Sequence, residues 1–197
     1  MEILIRRRNK FKLIDAAIAL MCEKGYHHMT VDDILEKSGV KKSNFYYHYE
    51  SKEACAMAAF DAMLEKVDDE IWQRILNNKS LSPKERLEHL AEFLVKQFES
   101  GGGKTGDVFG NLTAELADQH SFFQEKLNDY FIRYASYLEG VIQEGIEEDE
   151  FRQSIIPREA AEAILSQIQG AYLLARAYQD PAALRRNIDF LINILSA

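Results

Sequence analysis

Apolar residues recur at steps of three and four along almost the whole sequence, which is the spacing of one face of an α-helix. Only three prolines and ten glycines interrupt the 197 residues, so few positions stop a helix once it has begun. No segment carries a convincing strand pattern. We therefore predict an all-α fold of about nine helices.

Helix starts are marked by capping residues and by proline. Thr30 and Asp33 have the spacing of a capping box, in which each side chain accepts a hydrogen bond from the other residue's backbone N–H. Proline suits the first position of a helix because it lacks the N–H that a helix start leaves unpaired. Pro83, Pro157 and Pro181 therefore predict the beginnings of three further helices.

Charge separates the chain into two parts. The net charge of −8 taken alone argues against a nucleic-acid partner. Residues 1–52, however, contain ten of the 24 Lys and Arg and seven of the 32 Asp and Glu, a balance of +3 against −11 for the remainder. A basic head on an acidic body fits a DNA-binding region joined to a solvated regulatory region. We predict a DNA-binding domain at 1–52 and a ligand-binding and dimerisation domain at 53–197.

The segment from Arg6 to Lys52 has the pattern of a helix-turn-helix head built from three helices. The basic run at 6–8 is expected to be a flexible lead-in that contacts phosphates non-specifically. Gly25 is expected to end the first helix, and Gly39 supplies the turn before the recognition helix. The all-α body that follows is predicted to be a helical bundle.

The recognition helix has a polar front and an aromatic back. The N-terminal residues of such a helix face base edges in the major groove, which assigns that role to Lys41, Lys42, Ser43 and Asn44. Polar tips suit phosphate and sugar contacts, which we expect from Tyr46, Tyr47 and His48. Lys52, and Thr30 at a helix N-terminus, are expected to bind phosphates. Phe45 and Tyr49 are expected to pack on the first helix. Ordinary solvated charges and core rings are the alternative explanation.

From residue 30 to residue 53 the sequence resembles the head of the TetR family of transcriptional regulators. The resemblance rests on Thr30-Val-Asp-Asp-Ile-Leu and on Gly39-Val-Lys-Lys-Ser-Asn-Phe-Tyr-Tyr-His-Tyr-Glu-Ser-Lys-Glu53. It implies a homodimeric repressor whose two heads bind successive major grooves of a palindromic operator in double-stranded DNA. It also implies that a small molecule, bound in each body, releases the DNA.

A second segment, Gly106-Asp-Val-Phe-Gly-Asn-Leu-Thr-Ala-Glu115, resembles a Gly-Cys-x-x-Gly-Asn-x-x-x-Glu segment of the YxaF/LmrA-like regulators. Asp107 takes the place of the cysteine in this chain. No thiol-based sensing is therefore expected at that position.

The body is rich in large aromatic rings, and we predict a pocket for an unidentified small-molecule effector among them. Ligand sites in helical bundles lie between helices and combine apolar rings with a few polar groups. The predicted lining comprises Trp72, Phe93, Phe98, Phe109, Asn111, Glu115, Tyr130, Tyr134 and Gln169. The alternative is that the rings are ordinary core and the polar residues face solvent or a second copy.

The two C-terminal helices, near 157–178 and 181–195, are predicted to form the homodimer. Small residues on the first helix permit close approach of another helix, and the apolar stripe of the second offers a further surface: Leu184, Ile188, Leu191 and Leu195. Two such pairs would form a four-helix interface about a two-fold axis. A monomer that buries both helices internally is the alternative.

Other function classes lack their residues. We find no nucleophile–base pair, no His/Glu metal spacing and no phosphate loop, so we predict no enzyme activity, no catalytic residue, no cofactor and no metal. No apolar run reaches the ~18 residues that a membrane span needs. The first residues have charges after the apolar run, the reverse of a secretory signal, which favours a cytoplasmic protein without a membrane partner.

The sequence thus predicts a ligand-responsive DNA-binding transcriptional regulator. The competing hypothesis is a helical-bundle DNA-binding scaffold that a partner regulates without any small-molecule ligand. The two differ in whether the body holds a site for a small molecule.

Overall fold

The computed structural model describes residues 2–103, 106–116 and 121–197, without the side chains of residues 2–6, 121 and 122. This part of the chain contains nine α-helices: α1 Glu2–His28, α2 Val31–Ser38, α3 Lys42–His48, α4 Lys52–Val67, α5 Pro83–Ser100, α6 Val108–Leu116, α7 Ser121–Glu147, α8 Pro157–Tyr178 and α9 Pro181–Leu195. A π-helical segment, Asp68–Leu76, continues α4. The predicted all-α class is confirmed.

The first compact unit consists of residues 1–66 and 111–124, so it joins the head to parts of α4, α6 and α7. The predicted boundary after Lys52 falls inside this unit. The reason is that α4 buries several side chains in its first three turns: Cys55, Ala56, Ala59, Phe60 and Met63. The head therefore shares its core with residues that sequence reasoning assigned to the body.

Helix α1 begins at Glu2, so the basic run at 6–8 lies in a helix and not in the predicted flexible lead-in. The side chain of Arg6 lies outside the described residues. Gly25 interrupts the helical backbone with φ 78° and ψ 172°, at the position where the sequence predicted a helix end. The three residues that follow return to helical geometry up to His28.

The turn of the helix-turn-helix motif follows its predicted chemistry. Gly39 ends α2 in the left-handed conformation, with φ 65° and ψ 20°, and its N–H donates to the carbonyl of Leu35 at 2.9 Å. Such a φ strains residues with a Cβ atom, which explains the glycine. Phe45 and Tyr49 are buried, and α1 packs on both α2 and α3. The expected inward packing of these two rings is confirmed.

The second compact unit consists of residues 67–110 and 125–197. Within it α9 packs on α5 and α8, and the π-helical segment packs on α5. This packing corrects the prediction for the apolar stripe of α9: Leu184, Ile188 and Leu195 are buried inside the unit. The apolar side chains that α8 and α9 expose are different ones, namely Leu173, Tyr178, Phe190 and Ile194.

A buried ion pair joins α5 to α7 in this unit. Only 1% of Arg86 is exposed, and its guanidinium contacts the Glu144 carboxylate at 2.8 and 3.0 Å. Arg86 also donates to the carbonyl of Leu76 at 3.2 Å, at the end of the π-helical segment. The hydrogen bonds that Glu144 accepts from Arg86 and, secondarily, from Lys79 lower the pKa of Glu144 to about 2. Arg86 thus ties three helical segments together.

Candidate functional site

The outer face of α3 carries the side chains that the sequence assigned to DNA. Lys41 caps the helix, and Lys41, Lys42 and Ser43 are exposed, while Asn44 is half-buried. Tyr46 and Tyr47 are 52% and 60% exposed, although tyrosine rings normally bury much of their surface. His48 is half-buried at the end of the helix. The helix therefore presents a basic, hydroxyl-rich front above the buried ring of Phe45.

Lys42 forms a loose ion pair with Asp32 on α2, with Nζ and Oδ1 3.7 Å apart. Both side chains are largely exposed, so the pair contributes little to stability and is screened by salt. The Lys42 ammonium can therefore exchange this partner for a phosphate or a base edge at little cost.

Thr30 is already engaged by the capping box of α2. Its N–H and its hydroxyl both donate to the carboxylate of Asp33, at 2.7 and 2.6 Å, and its hydroxyl accepts from the Asp33 N–H at 3.1 Å. Hydrogen bonds from Lys24 and Thr30 lower the pKa of Asp33 to about 2. The Asp33 carboxylate thus competes with any DNA phosphate for the N–H and the hydroxyl of Thr30, the two donors that were predicted to bind phosphate.

Lys52 is half-buried and bonded to α1. Its ammonium donates to the carbonyl of Tyr26 at 3.1 Å and lies 4.1 Å from the centroid of the Tyr26 ring. Burial lowers the pKa of Lys52, and the nearby Glu115 opposes that effect. The Lys52 side chain, which was predicted to reach the DNA backbone, therefore links the start of α4 to the end of α1.

Two polar residues of α6 were predicted to line the pocket. Asn111 and Glu115 belong to the first unit, because the chain passes into that unit at residue 111. Asn111 is exposed, and Glu115 accepts hydrogen bonds from the backbone of Tyr26 and His27.

Five predicted rings are buried in the second unit: Trp72, Phe98, Phe109, Tyr130 and Tyr134. Tyr130 is the centre of one cluster. Its ring stacks on Phe109 at 4.1 Å between centroids and lies 5.9 Å from both Trp72 and Tyr134. Phe98 instead contacts Tyr172, which the prediction omitted. Phe93 is only half-buried on α5.

A polar group lies beside these rings at the start of α6. Asp107 accepts hydrogen bonds from the N–H groups of Phe109 and Gly110 and, at 2.6 Å, from the amide of Gln169. Desolvation raises the pKa of Asp107 despite these bonds. A Cβ atom on Gly110 would lie 2.0 Å from Oε1 of Gln169, so glycine is needed for this approach. Sequence reasoning noticed Asp107 only as a replaced cysteine and missed this role.

Two buried donors in the ring cluster have no hydrogen-bond partner among the described residues: the indole N–H of Trp72 and the hydroxyl of Tyr134. Burial raises the pKa of Tyr134 well above its ordinary value, so the hydroxyl keeps its proton. An unpaired buried donor costs about 1–3 kcal/mol. Both groups are therefore suited to an acceptor supplied by a bound molecule.

The described side chains include no group of three or more His, Cys, Asp and Glu placed to hold a metal ion. No described helix is both long enough and apolar enough to cross a membrane.

Both halves of the chain match known families. Residues 13–59 match the family described as bacterial regulatory proteins, tetR family. Residues 83–191, more than half of the chain, match the family described as tetracyclin repressor-like, C-terminal domain.

Similar proteins include regulators of known sequence and of known structure. The chain is 32% identical, over 97% of its length and 95% of the relative's, to an uncharacterized HTH-type transcriptional regulator in the lacX 3' region of Lactococcus lactis subsp. lactis. It is 26% identical to the HTH-type transcriptional repressor DhaR of Mycobacterium sp. (strain GP1), over 82% and 79% of the two chains. The crystal structure of a TetR-family regulator from Agrobacterium tumefaciens superposes with a TM-score of 0.89, at 18% identity, over 98% of this chain and 100% of that one.

Proposed function

Because this chain belongs to the TetR family of DNA-binding transcriptional regulators, we propose that it is a homodimeric repressor which a small molecule releases from a palindromic operator. The exposed front of α3 carries the DNA-binding part of this proposal. A helix of this kind enters the major groove with its N-terminal residues at the base edges, where Lys41, Lys42 and Ser43 are exposed. One relative that is named as a repressor supports the direction of control.

The tyrosines extend this surface toward the DNA backbone. A phenol hydroxyl donates to phosphate oxygens, and its ring contacts sugars and thymine methyl groups. Tyr46 and Tyr47 expose more than half of their surface and follow directly after the basic turn. Base contacts are thus expected from the front of α3 and backbone contacts from its middle.

The DNA-binding proposal is tested with a duplex that the protein itself enriches from a random-sequence pool. We expect Lys42→Ala and Tyr47→Ala each to weaken binding about tenfold, because a lost base or phosphate contact costs about 1–3 kcal/mol. Lys96→Ala removes an exposed lysine on α5 and is the matched control. Parent binding should also fall steeply as salt rises, since bound phosphates release counterions. Salt-independent binding, or full affinity in both variants, would contradict the proposal.

The effector part rests on the ring cluster of the second unit. Buried polar groups are normally paired, yet Trp72 and Tyr134 keep donors without a protein partner among the described residues. The aromatic surroundings favour a flat ligand, and the two donors require an acceptor oxygen or nitrogen on it. Burial raises the pKa values of both Tyr134 and Asp107, so the same surroundings also disfavour a charged ligand. The effector class is therefore an uncharged planar molecule with a carbonyl or similar acceptor.

The single tryptophan of the chain makes this class testable, since Trp72 lies in the cluster. We expect a panel of neutral aromatic ketones to include compounds that change Trp72 fluorescence and release the enriched duplex. Tyr134→Phe should weaken such binding about tenfold through the lost donor. Tyr137→Phe is the control, because Tyr137 stacks on Trp72 but accepts its hydrogen bond from Gln73.

The competing function is a DNA-binding scaffold that a partner protein regulates. The same compound panel, read by Trp72 fluorescence and duplex release, distinguishes the two functions. Preference for aromatic carboxylates or ammonium compounds would overturn the proposed chemistry of the effector. A fluorescence signal that no compound changes, together with DNA binding that none reverses, would favour the scaffold.

A further inference from the structure

A carboxylate far from the head in sequence holds the end of the first helix. One Glu115 oxygen accepts from the N–H of Tyr26 at 3.0 Å, and the other accepts from the N–H of His27. The partners are 89 and 88 residues apart in the chain. We call this arrangement of Glu115, Gly25, Tyr26 and His27 the α1–α6 clasp. All four residues belong to the first compact unit.

The clasp requires a carboxylate and not merely an acceptor. Each of its two N–H donors meets a different oxygen of Glu115. A glutamine side chain has only one oxygen, and its amide would set an NH₂ donor against one of the two N–H groups. Glu115→Gln therefore loses one hydrogen bond and gains a donor–donor contact, while its shape and size hardly change.

The clasp also requires the glycine at position 25. Its φ of 78° lies in the region that favours glycine, and this interruption precedes the two N–H groups that meet Glu115. A Cβ atom on Gly25 would lie 2.6 Å from one carboxylate oxygen and 3.1 Å from the carboxyl carbon. Backbone conformation and close approach therefore demand the same residue.

Tyr26 connects the clasp to the rest of the head. Its carbonyl accepts from the ammonium of Lys52 and from the N–H of Met29, at 3.1 and 3.2 Å. Met29 is buried, and the next residue, Thr30, caps α2. One peptide segment thus receives a carboxylate from α6 and an ammonium from α4, immediately before the helix-turn-helix motif begins.

We infer that Glu115 is a positioning residue for DNA binding, fixing through Gly25–His27 the place where α1 ends and α2 begins. This inference rests on the proposed function of the α3 surface. Glu115 itself need not touch DNA, and its own charge would repel phosphate. Simple electrostatics and the clasp therefore give opposite expectations for Glu115→Gln. Removal of a negative charge strengthens DNA binding, whereas loss of the clasp weakens it.

The test compares parent and Glu115→Gln on the enriched duplex by fluorescence anisotropy. Both proteins are kept at a temperature where circular dichroism shows full folding. We expect binding to weaken about tenfold in the variant, the effect of one lost charged hydrogen bond. Glu125→Gln, an exposed carboxylate on α7, is the matched control and should bind as tightly as the parent or slightly more tightly.

Amide hydrogen exchange supplies a readout that general destabilisation does not imitate. Exchange of the Tyr26 and His27 amides should accelerate in Glu115→Gln, while the amides of Ile34 and Phe45 stay protected. Gly25→Ala should weaken DNA binding, and the double variant with Glu115→Gln should lose less than the sum of the two single effects, because part of each effect comes from the same contact. Gly39→Ala, a second glycine with positive φ but no close neighbour, should add its full effect.

Each outcome decides the inference. Equal or tighter DNA binding by Glu115→Gln, with the parent binding well, would overturn the positioning role and leave the proposed function intact. Uniformly faster exchange throughout the head would reduce Glu115 to a general stabiliser and also overturn it. A parent protein that binds no duplex would remove the proposed function and the positioning role together.

Discussion

At the scale of single residues, four carboxylates in this chain have different tasks because their surroundings differ. Asp33 accepts hydrogen bonds from Thr30, the cap of α2, and Glu144 neutralises a buried arginine. Asp107 holds a glutamine near aromatic rings, and Glu115 binds two backbone N–H groups. Burial raises the pKa of Asp107, whereas hydrogen bonds to cations dominate and lower that of Glu144. None of these differences can be predicted from the residue type alone.

The pair between Glu144 and Arg86 should make stability depend on pH. The pKa of Glu144 falls from 4.5 to about 2 on folding. Its contribution is therefore complete above about pH 4.5 and is lost as the pH falls toward 2. Glu144→Gln should lower the free energy of unfolding by about 2 kcal/mol at pH 7, because it leaves a buried guanidinium without its counter-charge.

Urea denaturation of parent and variant between pH 7 and pH 2 measures this contribution. The difference between the two proteins should shrink as the pH falls below about 4.5. Glu148→Gln removes an exposed carboxylate beyond the end of the same helix and should leave stability within about 0.5 kcal/mol of the parent. A pH-independent difference for Glu144→Gln would show that the ion pair is not its cause.

Residue-level prediction from sequence succeeded where the cause lies within a few positions. The exposure of Tyr46 and Tyr47 and the burial of Phe45 follow from the period of one short helix. The bonds of Glu115 connect residues almost ninety positions apart, and no local pattern encodes that distance. Lys52 was predicted only as a phosphate ligand, because its bond to Tyr26 depends on how α1 meets α4.

At the scale of elements, helix starts were predictable because a cap involves only three or four consecutive residues. The boxes at Thr30 and Ser82 form as their spacing indicates, and α8 and α9 begin at Pro157 and Pro181. The direction of the apolar stripe on α9 was not predictable in this way. Periodicity identifies one apolar face, but only packing decides whether that face meets α5 and α8 or a second copy.

Two glycines of α7 give a matched test of element packing. A Cβ atom on Gly145 would lie 2.2 Å from the buried ring of Phe151, whereas one on Gly140 would meet nothing within 4 Å. Gly145→Ala should lower the free energy of unfolding by about 1–3 kcal/mol through overpacking. Gly140→Ala should raise it by about 0.5–1 kcal/mol, because alanine favours helix over the unfolded chain.

Chemical denaturation of both variants decides this prediction. The two substitutions are identical in chemistry and lie on the same helix, so helix propensity alone would move both in the stabilising direction. Opposite signs are therefore the expected result. If Gly145→Ala were as stable as Gly140→Ala, the contact between α7 and Phe151 would be looser than described.

At the scale of the whole molecule, the outer faces of α8 and α9 are the surface on which dimerisation is proposed. Leu173 is 67% and Phe190 62% exposed, and Tyr178 and Ile194 add to the apolar area. Exposed small residues, including Ala163 and Gly170, would allow helices of a second copy to approach closely. Large apolar side chains are normally buried against other protein surface. Because the chain belongs to a family of homodimers, we expect a second copy of the chain to bury them.

Leu173→Glu combined with Phe190→Glu should convert a dimer into a monomer in analytical ultracentrifugation. DNA binding should weaken strongly as well, because one head alone contacts one half-site. Ile132→Glu changes an exposed apolar residue on α7 and is the control. A double variant that stays dimeric would move the interface to another face of the molecule.

Helix α6 constrains which insertions and deletions related chains can accept. Gly110 packs against Gln169, and Glu115, five positions later, binds the end of α1. One inserted or deleted residue between them would rotate one side chain relative to the other by about 100° and shift it by about 1.5 Å. In homologous chains that keep both contacts, alignment gaps should therefore be absent from residues 111–114, and position 112 should stay apolar because Leu112 is buried.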